Sequence, residues 1–103
     1  MALADLSAPI PPELREVEDL LRRFGVWAAG RGTQGVTAGP DVHECRRVMY
    51  QLAAPWRAAL ELLYVPAREP IEARMRRLRL TPRMLRERQI AALYALRNLM
   101  RVR

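Results

Sequence analysis

Lysine is missing from this sequence: all eighteen basic residues among its 103 are arginine. A GC-rich coding bias produces that usage, so the absence is not functional evidence. It does fix the chemistry, because guanidinium is a permanent charge carrying a flat fork of donors suited to phosphate oxygens and guanine edges. There is one cysteine, Cys45, and one histidine, His43. A single cysteine excludes an internal disulfide and agrees with an intracellular chain. His43 and Cys45 cannot complete a tetrahedral zinc site without carboxylates that nothing positions. Two residues apart on a helix they point in different directions, which leaves no Cys–His dyad for nucleophilic catalysis. The expectation is no metal, no cofactor and no enzyme. No apolar run is long enough to span a bilayer, and no positive charge precedes an apolar stretch near Met1, so neither a membrane span nor a signal peptide is expected. The chain reads as soluble and cytoplasmic. Strand-period segments, internal repeats and low-complexity runs are also lacking, which predicts an all-α fold, a small bundle of about five helices.

What is present is helical periodicity broken by proline and glycine. Residues 1–10 read as a flexible arm and 11–103 as a single domain, long enough for one modest core. Pro11, Pro12 and Glu13 open the first helix, with Glu13 and Glu16 placed to complement its positive dipole end. Leu14, Val17, Leu20, Leu21, Phe24, Trp27 and Ala28 form its apolar stripe. Gly25 interrupts the stripe at about 1 kcal/mol against Ala, so either it permits close packing or the helix stops there. The carboxylates Glu13, Glu16, Glu18 and Asp19 alternate with Arg15, Arg22 and Arg23, the pattern of an ordinary solvated face. Residues 30–40 hold Gly30, Gly32, Gly35, Gly39 and Pro40 and read as a connector. The Gly-Lys-Ser/Thr ending of a phosphate loop is absent, although Arg31 and Thr33 could touch a nucleic-acid backbone. Residues 41–65 carry the central helices. Asp41 and Glu44 have capping-box spacing for a second helix with Val42, Cys45, Val48, Met49 and Leu52 buried. Pro55 breaks or kinks the pattern at Ala54, and a third helix follows with Trp56, Ala59, Leu60, Leu63 and Tyr64 on one side. Pro66 and Pro70 then bound a turn.

Charge is concentrated in the remainder. From Ala67 onward eleven arginines face only Glu69, Glu72 and Glu87, a net +8, whereas up to Pro66 eight acids outweigh seven arginines, a net −1. A short helical pattern (Ile71, Met75, Leu78) stops at a tight break, and a longer one (Leu85, Ile90, Leu93, Leu96, Met100) starts behind Thr81 and Pro82, a capping hydroxyl and a residue suited to a first turn. Residues 66–103 therefore predict a basic helix-turn-helix, whose second helix can lie in a DNA major groove. Seven arginines, at positions 74, 76, 77, 79, 83, 86 and 88, fall within fifteen residues. Such repulsion is tolerable where a polyanion is usually present. Duplex DNA is the favoured partner, ahead of an acidic protein, an anionic lipid surface or mere solvation. In that reading Arg83 and Arg86 approach base edges, Arg76, Arg77, Arg79 and Arg88 hold phosphates beside Arg74, and Thr81 adds a backbone contact. Phe24 and Trp27, with the acidic first helix, are left for a protein partner or self-association. No exposed aromatic platform is evident that would favour RNA over DNA.

The placement of Leu52, Pro55, Arg57, Leu60, Leu63, Tyr64, Leu78, Leu80, Thr81, Leu85, Ala92 and Leu96 resembles region 4 of bacterial sigma factors. More fully, the chain looks like the small phage antitermination proteins of the Q type, which share that module. Leu21, Phe24, Gly25 and Trp27 are similar to that family's Leu-x-x-aromatic-Gly-x-Trp start, followed here as there by a Gly-rich loop. The two motifs cover most of residues 14–101. Three positions depart from the helix-turn-helix pattern: Arg74 where an apolar residue is usual, Met75 where a small one is, and Arg79 at the turn, where glycine is common. The resemblance implies a phage regulator that engages promoter-proximal DNA and a paused RNA polymerase still holding its sigma factor. It would then travel with that polymerase past terminators, with nascent RNA a further possible contact.

Overall fold

The computed structural model describes residues 8–30 and 39–101, which form five α-helices. A 3₁₀ turn at Pro12–Leu14 runs into α1 (Arg15–Ala29); α2 (Pro40–Met49), α3 (Ala54–Tyr64), α4 (Ile71–Arg77) and α5 (Pro82–Arg101) follow, and no strand occurs among the described residues. The protein is a small all-α bundle. Residues 1–7 of the expected arm, and Arg31 and Thr33 of the Gly-rich connector, lie outside the described residues. Ile10, assigned to the arm, is half buried against the core.

The apolar side chains form two clusters. The larger joins Leu14, Leu21 and Phe24 to Cys45 and Val48 of α2, Leu60 of α3, and Leu93 and Leu96 of α5. The smaller holds Ala59 and Leu62 of α3, Met75 of α4, Leu80 of the turn and Leu85 of α5. Only α3 and α5 contribute to both. At 1.5 Å per residue α5 is about 30 Å long, enough to serve both clusters from one rod.

This double duty corrects the predicted face of α3. Leu60 and Tyr64 turn toward the large cluster, while Ala59 and Leu62 turn toward the small one. Leu62 is therefore buried, Leu63 is half buried between the clusters, and Trp56, on the first turn beyond both, is 36 % exposed. The start of α2 also differs from expectation. Gly39 is its N-cap and Pro40 its first residue, so Asp41 lies inside the first turn, its Oδ1 accepting from the adjacent Val42 N–H at 2.9 Å. A proline fits that first position because its missing N–H leaves no orphan donor. Asp41 also ties two helices together, its Oδ2 lying 2.7 Å from Arg23 Nη1 of α1. At its other end α2 stops at Met49, and Leu52 reaches the core from the following turn.

Gly25 does not end α1. A Cβ built there would stand 1.8 Å from the Tyr64 carbonyl oxygen, so only glycine lets the backbone of α1 cross the end of α3 at this depth. Beside that crossing Tyr64 Oη donates to Glu18 Oε2 at 2.6 Å and accepts from Gln89 Nε2 at 2.8 Å. Gln89 Oε1 accepts in turn from Arg86 Nη1 at 2.7 Å. Gln89 is the one buried polar residue among those described, and each end of its amide is satisfied by this chain of bonds.

Candidate nucleic-acid interface

The link between α4 and α5 is residues 78–81, built as a Schellman stop. Arg79 N–H donates to the Arg76 carbonyl at 3.1 Å, and Leu80 N–H to the Met75 carbonyl at 2.8 Å. Leu80 and Met75 close the motif inside the small core cluster. That is why Leu78, predicted as the last buried residue of the helix, is 46 % exposed: the apolar contact has passed to Leu80. The stop requires a left-handed residue, and Arg79 supplies it at φ 57°, the one non-glycine residue with positive φ among those described. For an L side chain this conformation costs roughly 1–2 kcal/mol. α5 then starts as the sequence predicts, with Thr81 Oγ1 accepting from Met84 N–H at 3.1 Å ahead of Pro82.

The eight residues nominated for DNA contact separate into two groups. Arg77 is held by Glu69, its Nη1 lying 2.6 and 2.7 Å from the two carboxylate oxygens. Arg74, half buried, reaches the Leu62 carbonyl at 3.4 Å. Arg86 donates to Gln89 and to the Ala8 carbonyl, and is a strut of the internal network rather than a free reader of bases. Thr81 spends its oxygen on the cap, leaving its hydroxyl hydrogen available. Arg83 is 84 % exposed, with Nε 3.3 Å from Glu87 Oε1 one turn on. The side chains of Arg76, Arg79 and Arg88 form no hydrogen bond or ion pair to a described residue. The turn is thus bracketed by Arg76 before it, Arg79 in it and Arg88 beyond it.

Two residues that the sequence reading did not nominate share the exposed side of the first turns of α5. Met84 is 37 % exposed, and the Glu87 side chain is 67 % exposed beside Arg83. Their signal was available in the periodicity: with Leu85, Gln89 and Ala92 buried, positions 83, 84 and 87 must face outward. In a groove, an arginine suits guanine and a glutamate accepts from the cytosine amino group. The first turn of α5 contains no acid and places Arg83 at the positive end of the helix dipole, an arrangement that opposes helix stability.

The two residues nominated for a protein partner part company. Phe24 is 8 % exposed and belongs to the core, so its ring is not a surface contact. Trp27 is only partly buried, tilted against Phe24 with centroids 6.2 Å apart and meeting the exposed His43 edge-on at 5.4 Å. Cys45 is fully buried, and desolvation pushes its thiol up to about 12, so the nucleophilic thiolate is scarce at neutral pH. Burial likewise raises the Tyr64 hydroxyl, reinforced by its bond to Glu18, which keeps it a donor. No helix among the described residues is long and apolar enough to cross a membrane. Set against known proteins, the chain matches no family model, no curated protein and no solved structure.

Proposed function

We propose that this chain is a DNA-binding regulator of transcription that lays the first turns of α5 against duplex DNA. The observation that carries the reading is the turn itself: Arg76, Arg79 and Arg88 stand around it without a described partner, one of them in a backbone conformation that glycine would adopt at less cost. In this reading the three guanidiniums hold phosphates, while Arg83, Met84 and Glu87 face base edges. Arg83 must exchange Glu87 for DNA, which makes this pair the point of sequence choice. Arg86 supports the helix from inside.

The narrower reading is a phage antitermination factor, acting in the bacterial cytoplasm on promoter-proximal DNA and a paused polymerase that retains its sigma factor. Its support is the likeness of residues 21–27 and of the sigma region 4-like second half, together with a small three-helix unit of α3, α4 and α5 around the second core cluster. A repressor that never meets polymerase would use the same helix-turn-helix. A protein-only adaptor is the second reading, favoured by Arg77 and Arg86 being committed internally.

Titration of duplex DNA at several salt concentrations separates these. Three to four phosphate contacts give a slope of log K against log salt of about −3, and an adaptor gives none. Transcription through a terminator, with and without the protein, then decides between antitermination and repression. Read-through that rises only when the template carries the promoter-proximal site supports the narrower reading. Unchanged termination with strong DNA binding removes it.

A further inference from the structure

A groove runs between the last turns of α1, the end of α2 and the side of α3, and it shares no residue with the basic turn. Its floor is apolar, made by Phe24, Trp27, Met49 and Val65; on its rim stand Arg46, Tyr50, Arg57 and Glu61. Tyr50 is 64 % exposed although it is a large aromatic, and packing within the chain gives no reason for that. The two arginines lean over its ring, with Arg57 Cζ 5.5 Å and Arg46 Cζ 5.6 Å from the ring centroid, so that the two cations stand at most 11.1 Å apart. Arg46 has no ion pair with a described carboxylate, and Arg57 has only a 3.8 Å approach to Glu61. Two cations beside one carboxylate, Glu61, leave this apolar groove a net positive rim, complementary to an anion that also brings apolar surface. Trp, Tyr and Arg are also the residue types on which protein interfaces concentrate their binding energy.

We propose that this groove docks an acidic segment of another polypeptide, an apolar side chain seated on Trp27 and Met49 and flanking carboxylates held by Arg46 and Arg57. A single-stranded nucleic acid fits less well. Both guanidiniums already lie over the Tyr50 ring, so it is no open platform for a base, and a phosphate backbone offers nothing to the apolar floor. The proposal does not depend on DNA binding at the basic turn. If both hold, the protein is a tether with a nucleic-acid site and a protein site.

The test is selection from a displayed library of short random peptides on the immobilised full chain, followed by affinity measurement with the best synthetic peptide. Expected are peptides rich in Asp and Glu around one aromatic or branched apolar residue. They should bind the Arg46→Gln/Arg57→Gln variant at least about tenfold more weakly, the size of losing one strong interface anchor. An Arg76→Gln/Arg79→Gln variant should bind them unchanged. In a Trp56→Phe background, the emission of Trp27 should shift on binding. Each substituted arginine is on the surface, so circular dichroism and the melting transition should match the parent and show the fold intact. Peptides without acidic enrichment would overturn the proposal, as would acidic peptides that depend on Arg76 and Arg79. Displacement by oligouridylate through Arg46 and Arg57 would reassign the groove to single-stranded nucleic acid. Self-association abolished by the Arg46→Gln/Arg57→Gln change would reassign it to a second copy of the chain.

Discussion

Arg22, Arg23 and Arg47 of α1 and α2 and three arginines around the turn are the same residue used under opposite conditions. In the first region Arg22 lies 3.4 Å from Glu18, Arg23 2.7 Å from Asp41, and Arg47 against Glu44. Around the turn Arg76, Arg79 and Arg88 have no such neighbour. Exposed pairs of the first kind are worth little, roughly 0.2–1 kcal/mol each, and chiefly neutralise charge. The second kind leaves charge uncompensated at the start of a helix. Counting arginines along the chain therefore overstates the interface. Arg77 and Arg86 sit amid the same basic run, yet the fold has claimed them.

That contrast can be broken by mutation, and the largest effect should come where charge plays no part. Gly25→Ala would gain about 1 kcal/mol in an unencumbered helix. Here the added methyl meets the Tyr64 carbonyl, and the two helices must part. A net loss of about 3 kcal/mol is expected from overpacking against backbone, read from urea unfolding. Tyr64→Phe should cost less, about 1–3 kcal/mol, because the buried Gln89 amide loses its acceptor. The same denaturation curve should show the loss with DNA affinity little altered. If affinity fell as far as stability did, the internal network would belong to the interface after all.

Arg79→Gly separates the two uses of arginine most directly. Relieving the left-handed strain should raise stability by about 1 kcal/mol. Removing the guanidinium should lower affinity for every duplex alike and reduce the salt slope by about one. Stability and affinity would move in opposite directions, and a variant that gained both would show that Arg79 does not hold phosphate. Arg83→Ala, with its side chain at 84 % exposure, should leave stability within about 0.5 kcal/mol. It should relax preference at one base position at a cost of about 1–3 kcal/mol, seen by competition between duplexes. The smallest effect belongs to the paired class. The Arg23 guanidinium, through its hydrogen bond, holds the Asp41 carboxyl below the usual carboxylate range. A folded-state pKa below the unfolded one gives stability that is complete above the unfolded value and fades as pH falls through the folded value. Asp41→Asn should therefore lower stability slightly near neutrality and flatten the acid limb of a stability-against-pH curve, the two curves converging as pH falls through the folded value.

Local rules carried the helices far. Pro12 and Pro82 stand in opening turns, where the ring is harmless, and Thr81 caps as its spacing suggests, whereas Pro40, read as connector, and Pro55, read as a break, also open helices. What stayed illegible depended on partners distant in sequence. The face of α3 could not be read because it answers to two cores, and Leu62 and Leu63 exchange rank between them. Asp41 has the spacing of a cap, but Gly39 caps the helix and Pro40 opens it, which puts Asp41 inside the first turn. For the candidate interface, the basic run located the turn correctly. It could not say that Arg86 would be bonded to Gln89 and Ala8, or that Arg77 would be held by Glu69 across eight residues. Tyr50 carried no signal at all, since an isolated tyrosine after a helix becomes notable only when two arginines from different helices lean over it.

α5 has a mechanical consequence. Leu85 anchors it in one cluster, and Ala92, Leu93 and Leu96 in the other, with no break in the helix between them. A load applied to its first turn reaches the deepest layer of the molecule without passing a hinge. That first turn cannot swivel on its own, and whatever seizes it takes hold of the entire body.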